Sequence, residues 1–216
     1  MFIPRLEILP ESQRMLWEKL SNLPGRFVLY GGTALALRLG HRQSVDFDFF
    51  SSRPLNSNEL MKWAPVTRDG EVIQEEKNTV TIRIQTSAPV KISFFGGLTL
   101  RRVGQPDETS AGVRIASLED LFATKLHVIC QRAESKDYLD VAAILNAGLD
   151  LERGLGCAKA VYGNNYNPML PQKALVHFEG GDLFRLSEDL KQKLRVAVSS
   201  VRTIPDVKWD NDNLSA

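Results

Sequence analysis

The sequence predicts a mixed α/β half followed by an all-helical half, and three observations carry that reading. Up to about Val113, short apolar runs with strand periodicity are separated by turns containing Gly, Pro and Asn. From Ser117 onward the apolar residues recur at helical spacing. Between residues 27 and 50, in FVLYGGTALALRLGHRQSVDFDFF, an apolar strand, two glycines, a helical segment, a polar turn and a second strand follow in direct succession. A chain of 216 residues is long enough to bury a substantial core, as one domain or two small ones.

The elements follow in order. Leu16, Leu20 and Leu23 lie on one side of a helix over residues 11–23, which Pro24-Gly25 stops. Residues 27–30 form a wholly apolar strand and residues 33–39 a helix. His41 to Ser44 is a polar turn into the strand VDFDFF, and Asn58 caps a short helix through Trp63. Residues 71–76, 79–85 and 90–95 read as strands, the first two joined at Lys77-Asn78 in a hairpin that lacks the Asn-Gly signature. The sum is a mixed sheet of about five strands, with one further strand possible in the loop over residues 98–112. Ser117 opens a helix to about Arg132, and a second over residues 136–146 closes at Ala147-Gly148. Residues 151–162, 168–178 and 187–201 are helical in pattern. From Pro205 the chain has little periodicity and reads as a loosely ordered tail. The expected division is residues 1–113, 114–204 and 205–216.

Composition excludes little. Hydrophobic residues make up 43% and charged residues 25%, and the formal net charge of +1 argues against a protein coated in basic charge for nonspecific nucleic-acid binding. No apolar run approaches the roughly 20 residues that span a bilayer, and the N-terminus lacks signal-peptide regions, so the expected location is the cytoplasm, with no membrane partner. Cys130 and Cys157 lack zinc or CxxC spacing and read as two buried thiols. His41, His127 and His177 have no metal-ligand spacing.

Two clusters carry chemistry. Gly31 and Gly32, between strand and helix, let backbone N–H groups and a helix N-terminus approach an anion closely, and Thr33 adds a hydroxyl. A sharp strand-to-helix turn asks for the same glycines. Asp46 and Asp48, two residues apart in a strand, point to one face while Val45, Phe47 and Phe49 point to the other. Such paired carboxylates repel unless a cation sits between them, and they suit Mg²⁺ shared with substrate phosphates. Arg42 and Ser44 stand just upstream, within reach of triphosphate oxygens. Downstream, Leu118, Leu121, Phe122, Lys125 and Ile129 form one helical stripe, so Lys125 occupies a core position and must snorkel or meet an anion. Arg132 shares that face. Lys136 and Asp140 are four apart and could form a surface pair; Asp137 and Asp140 read equally as functional or as helix-capping residues.

The order strand, Gly-Gly-Thr, helix, Arg-x-Ser-x-Asp-x-Asp strand resembles the nucleotidyltransferase superfamily that shares the DNA polymerase β catalytic core. More closely it resembles the AbiEii/AbiGii toxin family of type IV toxin–antitoxin systems, which includes the MenT enzymes. Lys125 and the run from Arg132 through Lys136, Asp137 and Asp140 resemble that family's downstream Lys and Lys-Asp motif, so the likeness covers roughly the first 150 residues. The resemblance implies a nucleotidyltransferase-fold sheet whose site the helical half completes, and Mg²⁺-dependent transfer of a nucleoside monophosphate from an NTP to a hydroxyl, with RNA such as tRNA a candidate acceptor and an antitoxin a candidate partner. It assigns Asp46 and Asp48 to Mg²⁺ and catalysis. Lys125, Asp137 and Asp140 are further catalytic candidates, and Gly31, Gly32, Thr33, Arg42, Ser44, Arg132 and Lys136 would hold nucleotide.

One position departs from the pattern. Many nucleotidyltransferases carry a third carboxylate on a later strand, and in VKISFF that place is held by Ser93, with Lys91 on the same face. A serine neither neutralises a second Mg²⁺ nor acts as a general base near neutral pH without help. Either the base comes from Asp137, Asp140 or Lys125, or the protein binds nucleotide without transferring it. A helical half serving chiefly as an interaction surface is the third reading.

Overall fold

The computed structural model describes residues 2–63, 65–68, 70–163 and 165–216, including all their side chains but those of Glu59, Trp63 and Pro65. The chain divides into two compact units. The first comprises the residues up to Leu100 together with Gln105–Ser117 and Asn211–Ala216; the second comprises Arg101–Gly104 and Leu118–Asp210.

In the first unit, α1 (Glu11–Trp17) runs on as a 3-10 turn over Glu18–Asn22, so the helix predicted to residue 23 tightens after two turns. β1 (Val28–Tyr30) leads directly into α2 (Gly31–Leu39), which ends on Gly40 in the left-handed conformation. β2 (Asp46–Phe50) and α3 (Ser57–Trp63) follow. β3 (Glu71–Glu76), β4 (Thr79–Gln85) and β5 (Pro89–Phe95) form an antiparallel meander, whose first turn holds Asn78 at φ 62°, a conformation asparagine tolerates. β6 (Asp107–Glu108) and β7 (Arg114–Ile115) extend the sheet to seven strands in the order β3-β4-β5-β2-β1-β7-β6. Two-residue strands have no periodicity to read, which is why the sequence yields about five.

β2 sits centrally, antiparallel to β1 and parallel to β5. Its alternation divides the sheet: Phe47 and Phe49 are buried, while Asp46, Asp48 and Phe50 on the other face are partly exposed. Phe49 stacks on Phe94 at 5.6 Å between centroids, Phe94 meets Phe27 edge-on at 5.2 Å, and Trp17 of α1 lies 6.3 Å from Phe47. Burying such rings contributes about 2 kcal/mol or more each, so this aromatic seam fixes which face β2 turns inward.

The second unit holds α4 (Leu118–Val128), α5 (Ser135–Asn146), α6 (Leu151–Tyr162), α7 (Met169–Val176) and α8 (Glu188–Ser199). Asp150 and Ser187 cap α6 and α8 by accepting the N–H of Arg153 and Leu190. Leu121, Phe122 and Leu126 of α4 are buried together with Val141 and Ile144 of α5 and Leu155 of α6. No helix among the described residues is long and apolar enough to cross a membrane.

Two expectations are corrected. Cys157 is buried, and burial pushes its thiol up to about 12, but Cys130 lies past the end of α4 and is exposed. The segment from Pro205 is not loose. Asp210 pairs with Arg102 at 2.7 Å, and Asp210 N–H donates to the Arg102 carbonyl. Leu214 is fully buried and its N–H donates to the Leu100 carbonyl; Ser52 N–H donates to Ser215 Oγ, and Arg114 donates to the carbonyls of Ser215 and Ala216. These partners lie about a hundred residues or more away, where local periodicity carries no signal. Replacing Leu214 with Ala should therefore lower stability by about 2–4 kcal/mol, read as a drop in urea midpoint at unchanged slope.

Candidate functional site

The first cluster forms where β1 passes into α2. Gly31 has φ +73°, and a Cβ there would stand 2.6 Å from Asp48 Oδ2; a Cβ at Gly32 would stand 2.8 and 2.9 Å from Arg42 Nη2 and Ser44 Oγ and would push those side chains aside. Glycine at 31 thus answers both a left-handed backbone and a carboxylate pressed against it. Thr33 donates its hydroxyl to the Asp46 carbonyl, tying the first turn of α2 to β2. Arg42 Nη1 also donates to the Gln43 carbonyl at 2.9 Å. The fold therefore brings Gly31, Gly32, Thr33, Arg42, Ser44, Asp46 and Asp48 together at one end of the sheet. It presents backbone N–H groups of a helix N-terminus, a guanidinium, a hydroxyl and two carboxylates to the same surface, a set able to hold an anion and a hard cation side by side.

The parallel register of β2 with β5 places Lys91 opposite Asp46 and Ser93 opposite Asp48. Ser93 Oγ accepts from Thr81 Oγ1 at 3.2 Å, and Lys91 Nζ lies 3.3 Å from Asp46 Oδ2. The strand position considered for a third carboxylate is thus occupied by a hydroxyl, with an ammonium two residues before it. Among the described residues no group of three or more His, Cys, Asp or Glu side chains is gathered as a metal site.

The second cluster lies in the helical unit. Lys125 Nζ is 2.7 Å from Asp137 Oδ1 and 2.6 Å from Asp140 Oδ2, with side-chain exposures of 7%, 0% and 0%. Arg132 Nε and Nη2 donate to the two Asp137 oxygens at 2.8 and 3.2 Å. The core position of Lys125 is so explained: its charge is met by buried carboxylates one turn apart on α5. Burial pushes the Asp137 carboxyl pKa up, but the hydrogen bonds and charges of Arg132 and Lys125 outweigh it and hold the group below the usual carboxylate range. Lys136 does not join; its ammonium pairs with Glu134 at 2.7 Å, so the surface pair with Asp140 suggested by their spacing is not formed.

Sequence reasoning missed the Lys91–Asp46 pair, because a register between strands more than forty residues apart is invisible locally. It also missed that Asp120, read as part of a helix start, accepts the N–H groups of Val103 and Gly104 at 2.7 and 3.2 Å. His127 stacks on Tyr162 at 4.2 Å and meets Gln131 at 2.9 Å.

The family model described as nucleotidyl transferase AbiEii toxin, type IV toxin–antitoxin system, matches residues 14–200. The chain belongs to this family. The match runs well past residue 150, so the whole helical unit up to α8 is family structure. A relative from Aquifex aeolicus (strain VF5), itself uncharacterized, is 30% identical over 176 residues, 79% of this chain and 84% of its own. Two solved structures share the fold: a protein of H. pylori assigned as a nucleotidyltransferase, at 18% identity and TM-score 0.55 over 88% of this chain and 91% of its own, and MenT4, a nucleotidyltransferase toxin of Mycobacterium tuberculosis H37Rv, at 13% and 0.57 over 88% and 85%. This AbiEii chain is thus a nucleotidyltransferase-fold member of a toxin family.

Two outcomes follow from the geometry. Gly31→Ala should cost about 1–2 kcal/mol from backbone handedness alone and displace Asp48, measurable as a lower melting temperature. Asp137→Asn should cost about 3–5 kcal/mol at neutral pH, since it leaves the Lys125 and Arg132 charges undercompensated. Because the folded pKa of Asp137 lies below its unfolded value, its contribution is present above about pH 4 and is lost as pH falls through the folded pKa. Denaturant curves of wild type and variant should therefore converge in acid.

Proposed function

We propose that the protein transfers a nucleoside monophosphate from an NTP to a hydroxyl acceptor, with RNA such as tRNA as the acceptor class, in the cytoplasm and under the control of a cognate antitoxin. The observation that carries the reading is the packing of Gly31, Gly32, Arg42, Ser44 and Asp48 around one helix N-terminus. Family membership supports the reaction class, and MenT4 is a nucleotidyltransferase toxin of similar fold.

In this reading the N–H groups at Gly31 and Gly32 and the hydroxyl of Ser44 bind triphosphate oxygens and Arg42 offsets their charge, while Thr33, fully buried with its hydroxyl on the Asp46 carbonyl, holds the turn rather than the nucleotide. Asp46 and Asp48 are the residues that would hold Mg²⁺: two hard oxygen donors on an accessible strand face fit an ion that keeps waters and completes its shell with substrate phosphates. Bound there, Mg²⁺ would supply charge neutralisation of the triphosphate. The acceptor hydroxyl oxygen bonds to the α-phosphorus as the bond to the β-phosphate breaks, its proton passes to solvent, and pyrophosphate leaves. Asp137 is a poor proton acceptor, its oxygens being engaged and its pKa held down; its part and that of Asp140 is to fix the Lys125 ammonium.

Incubating the protein with each radiolabelled NTP, Mg²⁺ and total RNA should label RNA and release pyrophosphate. Asp46→Ala with Asp48→Ala should reduce labelling by at least about 100-fold, and a chelator should do the same reversibly. Equal labelling by wild type and the double variant would overturn the assignment. NTP binding without pyrophosphate release would instead mark a binding protein.

A further inference from the structure

We infer that Lys91 is a built-in counter-cation of the Asp46–Asp48 site, and that the site therefore takes one divalent ion rather than two. The inference rests on the reading of Asp46 and Asp48 as the metal-binding carboxylates. It begins from the register: in the parallel pair of β2 with β5, Lys91 is opposite Asp46 and Ser93 opposite Asp48, so all four side chains share one face of the sheet. The ammonium lies 3.3 Å from Asp46 Oδ2, and the two side chains are 51% and 36% exposed.

What surrounds Lys91 directs it there. On the next strand Arg83 is its cross-strand partner, a like charge. Arg83 is itself taken by Glu71 on β3, with Nη2 to Oε2 at 2.7 Å and Nε to the same oxygen at 3.2 Å. A row of alternating pairs thus crosses four strands, Glu71 with Arg83 and Lys91 with Asp46, and each cation has an anion on its outer side. The second row, Asp48, Ser93 and Thr81, carries one charge only, because Ser93 and Thr81 satisfy each other by a hydrogen bond.

Charge arithmetic then decides the ion count. Three carboxylates on such a face carry three negative charges, enough to hold two divalent ions bridged by substrate phosphates. Here the two aspartates and Lys91 sum to one negative charge, the Arg42 guanidinium beside Gly32 lowers it further, and the Lys91 ammonium already stands beside one ligand. A first divalent ion is favoured by the aspartates and opposed by Lys91; a second finds neither a third carboxylate nor free negative charge. Lys91 supplies in permanent form the positive charge that a second ion would bring, which is how Ser93 is tolerated.

The test uses Mn²⁺ as the probe with the full-length protein, followed by electron paramagnetic resonance and calorimetry in the absence and presence of a non-hydrolysable NTP. Wild type should bind one Mn²⁺ in both conditions. Lys91→Met should bind it about three- to ten-fold more tightly without nucleotide, since a unit charge close by is removed, and yet should transfer more slowly at saturating Mg²⁺. A merely structural lysine would not move affinity and turnover in opposite directions. Lys91→Met combined with Ser93→Asp should bind a second ion in the presence of nucleotide. Two ions in wild type, or unchanged Mn²⁺ affinity in a folded Lys91→Met protein, would overturn the inference alone. Mn²⁺ binding that survives Asp46→Ala with Asp48→Ala would overturn it together with the reading on which it rests.

Discussion

The parallel pairing of β2 with β5 is the constraint on which the first unit turns. It locks Phe49 over Phe94 in the core, and the same register, read on the opposite face, sets Asp46 beside Lys91 and Asp48 beside Ser93. One residue of slip would put both aspartates into an aromatic core, so the packing that stabilises the sheet also guarantees the site's geometry. The glycine pair completes the arrangement from the other side: α2 can start against Asp48 only because no Cβ intervenes.

The helical unit solves a different problem. Lys125 is placed by its helical stripe in an apolar setting, and an unpaired ammonium there is untenable. Two carboxylates one turn apart on α5 answer it, and Arg132, half-exposed, closes the network toward solvent. Such a cluster adds little net stability over an apolar replacement, yet removing any one member strands the others. It is a device for fixing the direction of a buried charge.

Much of this was legible in the sequence because it is local. The Gly-Gly turn, the period-two spacing of Asp46 and Asp48 and the helical stripe through Lys125 are patterns within a few residues of one another, and each led to the neighbours the fold provides. What escaped was set by distance along the chain. The two-residue strands β6 and β7, the pairing of Lys91 with Asp46 and the anchoring of Asp120 by Val103 and Gly104 depend on segments brought together only by the completed sheet or bundle. Lys136 shows the converse: its spacing to Asp140 was right for a pair, but Asp140 was already engaged by a buried lysine and Lys136 met Glu134 instead.

The return of the chain after Asp210 has a consequence for how the protein is made. The unit that carries Gly31, Asp46 and Asp48 also includes Leu214, fully buried and hydrogen-bonded to Leu100, while nearly the whole second unit lies between them in sequence. A ribosome must therefore synthesise all five helices of the second unit before the first can be finished. The aspartate-bearing sheet emerges early, but its unit is complete only once Leu214 has followed, so a chain cut before that residue leaves the unit unfinished.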